Sequence, residues 1–243
     1  MAVVGFFHHI GTFLILVAVA LLIVTTISAP VVHDISILRV NMRNSDQSIS
    51  FGTFGYCVLD ADGNGNDRCT GSHVGYQPAD ILGEQLRVDF SDAARRTANG
   101  LTKTMVLHPI ATGVSFISFA LTLGAGVVGS FLASVVAVIS FVITCAALVC
   151  DFVLFSIVKH HVSDANDNAG GPNGNGRASA SYSVAMWTIL VAAILELLAA
   201  IVIFFSCCSA RMHRQRTART SKHAVPADDY GTAVAPRRRR RWF

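Results

Sequence analysis

The chain has 243 residues, of which 52% are hydrophobic and 14% charged, and its formal net charge is +4. No polar stretch is long enough for a large independent soluble domain. Function therefore has to come from loops, a tail and the few polar residues inside apolar runs.

Four apolar runs, near residues 6–29, 105–126, 131–158 and 183–208, are each long enough to cross a bilayer core of about 30 Å at about 1.5 Å per residue. They predict an all-α four-helix membrane bundle over 1–208 and a basic tail over 209–243. The first run starts almost at the N-terminus but lacks a basic leading segment, so it is expected to be a retained first span or signal anchor. The outer loop over 30–104 carries seven Lys and Arg against nine acids, whereas the tail carries ten against Asp228 and Asp229. Positive residues mark the cytoplasmic face. Arg211, Arg214, Arg216, Arg219 and Lys222 follow the fourth run directly, so both termini are expected to be cytoplasmic and the long loop outside.

In that loop, Val31 to Val40 and Ile49 to Val58 carry β-branched and aromatic residues with partial alternation around the polar Asn41 to Ser48, which predicts a small antiparallel sheet. Cys57 and Cys69 are its only cysteines. An oxidising exterior favours their pairing; the competing arrangement, two free thiols, requires the reverse topology. Asp60, Asp62, Asn64, Gly65 and Asn66 imitate the opening of a calcium loop, but its twelfth position falls on Gly71 where a bidentate Glu is needed. A solvated turn is the better reading. Ser91 is expected to cap a short helix through Ala93 to Arg96, with Gly100 interrupting it before the second run.

Two acids and a histidine stand out inside the runs. His108 opens the second, Asp151 lies eight residues before Lys159 in the third, and Glu196 is central in the fourth. Ionising either acid against lipid is costly, so both are expected to face the bundle interior. His108 and Asp151 fall at comparable depth on antiparallel helices, which allows either a proton-sensitive pair or an interhelical hydrogen bond that merely orients helices. His160 and His161 read as a solvated interface. Cys145 and Cys150 read as packed small hydrophobes, while Cys207 and Cys208, just before the basic cluster, fit either S-palmitoylation or boundary packing.

No phosphate-cradling glycine loop, zinc-spaced cysteine set or nucleophile elbow occurs, so neither an enzyme nor a cofactor- or metal-binding protein is expected; Gly124, Gly126 and Gly129 read as a hairpin or close helix packing. The run Arg237, Arg238, Arg239, Arg240 and Arg241, with Trp242 and Phe243, reads as meeting anionic lipid or an acidic partner rather than nucleic acid.

The residues Gly5-Phe6-Phe7-His8-His9-Ile10-Gly11-Thr12-Phe13, Phe51-Gly52-Thr53-Phe54-Gly55-Tyr56-Cys57 with Cys69 and Gly75-Tyr76, Leu107-His108-Pro109-Ile110-Ala111, and Asp151-Phe152-Val153-Leu154-Phe155 with Lys159 and His161 together resemble the fungal PalI family. The resemblance covers roughly residues 1–208. It implies a four-span plasma-membrane protein with a claudin-like, cysteine-bearing outer loop. It also implies an accessory role in ambient-pH signalling, assisting a separate seven-span pH sensor, without catalysis. Family members often carry a long low-complexity cytoplasmic extension, whereas this sequence stops about 35 residues after the last run. Related four-span proteins of eisosomes organise membrane domains and support cell-wall integrity, which gives a second reading. A proton-linked transporter, motivated by Asp151 and Glu196, is a third. Oligomeric state is not readable from the sequence.

Overall fold

A computed structural model describes residues 2–42, 47–86, 90–124, 127–169 and 178–223. Helix α1 spans Ala2–Thr26, α2 Pro78–Leu86, α3 Asp92–Lys103, α4 Leu107–Leu123, α5 Val127–Ala169 and α6 Val184–His223. Strands β1 (Leu38–Met42), β2 (Ser48–Phe51), β3 (Tyr56–Leu59) and β4 (Arg68–Cys69) fall between α1 and α2, and β5 (Ala178–Tyr182) precedes α6. A single turn of 3₁₀ helix over Thr104–Val106 joins α3 to α4. Among the described residues, four helical stretches are long and apolar enough to cross a membrane: His8–Thr26, Asp92–Leu123, Gly129–Ala165 and Val184–Ser209.

The four long helices close into a ring in which α1 packs on α4 and α6, and α5 packs on the same two. Their polarity is inverted relative to a water-soluble bundle. Large apolar side chains such as Phe13, Phe116, Val142 and Phe205 point outward, while Ala18, Ser115, Ser118, Ala133, Ser140, Ala192 and Ala199 are buried. Small side chains let helix backbones approach closely where no hydrophobic drive separates inside from outside. Gly11 on α1 shows how closely, because a Cβ there meets Ile203 Cγ1 of α6 at 2.6 Å.

The sheet is antiparallel with strand order β4-β3-β2-β1-β5. It confirms the expected sheet and corrects its extent. Ile49 to Val58 is two strands rather than one, since a turn over 52–55 closed by the Gly52 N–H to Gly55 carbonyl bond folds the run back on itself. A fifth strand comes from the segment before α6, where no strand was expected. Leu38, Val40, Ile49 and Phe51 are fully buried and share one core with Leu82, Met105, Phe155 and Met186, which joins the sheet to one end of the bundle. Cys57 and Cys69 are directly opposite on β3 and β4 and are disulfide-bonded.

Two helix boundaries also differ from expectation. Ser91 caps α3 by accepting from the Ala94 N–H at 3.3 Å, but Gly100 lies inside that helix, which continues to Lys103. Helix α5 runs past the end of its apolar stretch at Val158 to Ala169, about 65 Å in all at about 1.5 Å per residue. Backbone hydrogen bonding propagates through its polar end, whereas hydropathy registers only the apolar part. Likewise α6 remains helical across the expected tail boundary as far as His223.

Candidate functional site

The most constrained polar contact in the bundle joins His108 at the start of α4 to Asp151 on α5. Both side chains are about 1% exposed. His108 Nδ1 lies 3.1 Å from the Met105 carbonyl of the preceding 3₁₀ turn, and a carbonyl only accepts, so Nδ1 carries a proton. That assigns the other ring nitrogen to the acid: Nε2 lies 3.0 Å from Asp151 Oδ2. The contact therefore holds one shared proton, either as imidazolium with carboxylate or as carboxylic acid donating to a neutral ring. Pro109 in the first turn of α4 has no N–H to donate to the Met105 carbonyl four residues back, and that carbonyl is met by the His108 ring instead. Thr112, one turn on, donates to the His108 carbonyl at 2.8 Å and touches Thr26 of α1 at 3.1 Å.

The sheet packs on the same end of the bundle, in one core with Met105, Leu154 and Phe155. Tyr76 is buried, donates its hydroxyl to the Gly52 carbonyl at 2.9 Å, and stacks on Phe51 with centroids 6.2 Å apart. Burial raises its phenol well above the ordinary range, and the charge of Asp151 adds to the effect. Gly52 is where the sheet meets the end of α1, since a Cβ there collides with the backbone of Ala29. Beside it, Ser28 Oγ and Thr53 Oγ1 are 3.0 Å apart, and Thr53 donates to the Thr25 carbonyl at 2.9 Å.

Glu196 lies deeper in the bundle and is about 1% exposed. Ser140 Oγ is 2.7 Å from Glu196 Oε1 and 3.2 Å from the Ala111 carbonyl. Ser115, one turn beyond Ala111 on the buried face of α4, and Thr144, one turn beyond Ser140 on α5, are buried at the same level. Glu196 Oε2 and Thr144 Oγ1 are buried without a hydrogen-bond partner. Sequence reasoning identified the acid but missed these hydroxyls. The signal was present in α4, where His108, Ala111, Ser115, Ser118 and Thr122 recur at helical spacing and form its buried face. Toward the far end of the bundle, Ser118 donates to the Ala133 carbonyl at 2.9 Å, Ser134 to that of Ala200 at 3.3 Å, and His8 Nε2 lies 3.3 Å from the Thr122 carbonyl.

At the sheet's outer rim, His33 Nδ1 is 3.0 Å from Asp67 Oδ2, while Asp67 Oδ1 accepts from the Asp60 N–H at 3.1 Å. These bonds, the backbone one first, hold the Asp67 carboxyl below the usual carboxylate range. The Asp60 to Asn66 segment is a tight turn, with Asp60, Gly63 and Gly65 all at positive φ and the Gly65 N–H bonded to Asp60 Oδ1 at 2.6 Å. Its side chains serve the turn. His33 also crowds against Cys57 and Cys69, but both sulfurs are committed to the disulfide and offer no thiolate to a metal.

The expected solvated histidine pair is divided. His160 is exposed and 3.1 Å from Asp164, while His161 stacks on Phe90 at 4.6 Å and faces the Ile157 carbonyl at 2.9 Å. Cys145, Cys150 and Cys208 are half-buried and Cys207 is buried. Arg211, Arg214, Arg216, Arg219 and Lys222 lie on the helical end of α6; Arg237 to Phe243 lie outside the described residues.

Comparison with known proteins agrees with this architecture. A sequence model of the SUR7/PalI family matches residues 1–175. The chain belongs to the SUR7/PalI family. Among curated relatives, it is 28% identical over 152 residues to the pH-response regulator protein palI/RIM9 of Pyricularia oryzae, covering 58% of this chain and 19% of that protein. It is 28% identical over 110 residues to palI/prr-5 of Neurospora crassa, covering 45% of this chain and 14% of the relative. With palI/RIM9 of Emericella nidulans it shares 30% identity over 118 residues, covering 47% and 18% respectively. The aligned stretch is thus less than a fifth of the length of each of these family members. The matched region includes the disulfide, His108 and Asp151 and excludes β5, Glu196 and the basic end of α6.

Proposed function

We propose that this chain is a non-catalytic, four-span accessory protein of the fungal plasma membrane that acts in ambient-pH signalling by assisting the localisation or stability of a separate pH sensor. The family match across residues 1–175, with relatives that are themselves pH-response regulators, carries the reading. The inverted polarity of the helix ring supports membrane insertion. The basic residues after the last apolar stretch favour cytoplasmic termini, and a disulfide-bonded sheet, favoured by an oxidising exterior, supports the same orientation.

The His108–Asp151 contact supports assistance rather than sensing. Each partner is buried in the bundle near the end on which the sheet packs, so the pair fastens α4 to α5 there. The exposed helix faces are left for lipid or a second membrane protein. Pull-down from fungal membranes at acid and alkaline pH, with and without residues 209–243, tests the reading. Loss of alkaline growth with a mislocalised seven-span sensor on deletion supports it. Normal sensor placement with patchy membrane defects and wall-stress sensitivity favours the role of membrane-domain organiser instead.

A further inference from the structure

The Glu196 cluster is not accounted for by helix packing alone. Ser140 has one hydroxyl proton but two acceptors within reach, Glu196 Oε1 at 2.7 Å and the Ala111 carbonyl at 3.2 Å. If the carboxyl brings no positive charge with it, one of these contacts sets two oxygens against each other without a proton between them. Oε2 and Thr144 Oγ1, both buried, are left equally unserved. An uncompensated carboxylate in such a place is costly.

Among the described residues of the mid-bundle no side chain supplies the compensation. Residues 11–26 of α1, 109–123 of α4, and 184–206 of α6 apart from Glu196 itself carry no ionisable group, and His108, the next one along α4, is engaged by Asp151. On α5, residues 129–150 contribute only Cys145 and Cys150, and neither brings a positive charge. Among the described residues the acid is therefore the single carboxyl of the mid-bundle, faced by neutral oxygens from two other helices, α4 and α5.

We propose that Glu196, with Ser140, Thr144, Ser115 and the Ala111 carbonyl, forms a binding site for one small monovalent cation, a proton or sodium. A single positive charge balances the carboxylate, whereas a divalent ion leaves an excess charge in the same apolar setting. A proton on the carboxyl lets Glu196 donate to Ser140 and Ser140 to Ala111; sodium instead draws the same oxygens in as ligands. Hydroxyl, carbonyl and carboxylate oxygens are the donors that hard cations take.

Dicyclohexylcarbodiimide tests this in the full chain reconstituted in lipid nanodiscs. Its central carbon takes the carboxyl oxygen while the carboxyl proton moves to nitrogen, and acyl migration then gives a stable N-acylurea with no leaving group. Reaction thus requires a protonated carboxyl in an apolar place. Peptide mass spectrometry should find the adduct at Glu196 in acid, sodium-free medium, several-fold less at alkaline pH, and none there in Glu196→Gln. Protection by sodium but not by choline at fixed pH identifies sodium as the occupant; indifference to sodium identifies the proton. Ser140→Ala keeps the acid and should displace the pH of half-labelling while the protein stays folded by thermal unfolding. No Glu196 adduct in acid, labelling unchanged from acid to alkaline pH, or an undisplaced Ser140→Ala profile each overturns the site.

Discussion

His108 and Asp151 meet at 3.0 Å although 43 residues separate them, and the ring nitrogen that meets the acid is selected by the Met105 carbonyl on its other side. A buried pair fixed from both ends resists the loss of either member. Asp151→Asn and His108→Gln should each destabilise the bundle by about 3–5 kcal/mol, the range for breaking one side of a buried pair. Under the accessory reading, both should lower sensor abundance or surface level at every pH while the midpoint of the reporter response stays put. A displaced midpoint with normal sensor levels would mean direct sensing.

The disulfide should behave as one unit. Cys57→Ser, Cys69→Ser and the double variant are expected to reduce surface delivery equally, with a stability loss of about 2–4 kcal/mol. Cysteine labelling of intact cells without reductant checks this, and modification of both wild-type thiols would defeat it.

Two glycines make a matched pair. At Gly52 an added methyl runs into the backbone of Ala29, which has no side-chain freedom with which to yield, whereas at Gly113 nothing lies within 4 Å. Gly52→Ala should cost about 3 kcal/mol or more and separate the sheet from α1, while Gly113→Ala should stay within about 1 kcal/mol of wild type. Thermal unfolding in detergent ranks them.

Acid should loosen the turn around Asp60. The Asp67 carboxyl sits below its ordinary value, so its contribution is fully present above the unfolded carboxylate range and is lost as pH falls through the folded value. Proteolytic nicking between Asp60 and Arg68 should therefore rise on acidification, and Asp67→Asn should nick readily even at neutral pH.

On α6, Cys208 is partly accessible and Cys207 is buried. If this boundary is acylated, acyl exchange should report Cys208 ahead of Cys207. Replacing both by serine should alter lateral distribution and leave insertion intact. A blank assay on the wild type leaves the basic residues as a topology signal only.

The apolar runs revealed the four long helices because twenty or more apolar residues admit few alternatives, and Cys57 and Cys69 revealed the staple because they stood alone in a polar loop. Contacts were less legible. His108 and Asp151 were placed at comparable depth, but only the packed helices decide that they touch. Gly100 was read as a break, yet α3 continues through it because the cost of one glycine is small beside the packing of Ala98 and Thr102 on either side. The sequence Ala178-Ser179-Ala180-Ser181-Tyr182 lacks the β-branched residues that announce a strand. It becomes one because β1 offers an unpaired edge.

That borrowed edge ties together two segments which the chain produces far apart. Leu38 pairs with Tyr182 and Met42 with Ala178, so β1 waits for partners that emerge only after α4 and α5 have been made. Tyr182 in turn lies two residues before α6, so completing the sheet requires that helix to start at the correct height. The sheet layer thereby works as an assembly gauge. A protomer lacking its last helix, or holding it inverted, presents a bare strand edge of the kind that quality-control machinery and neighbouring chains can seize.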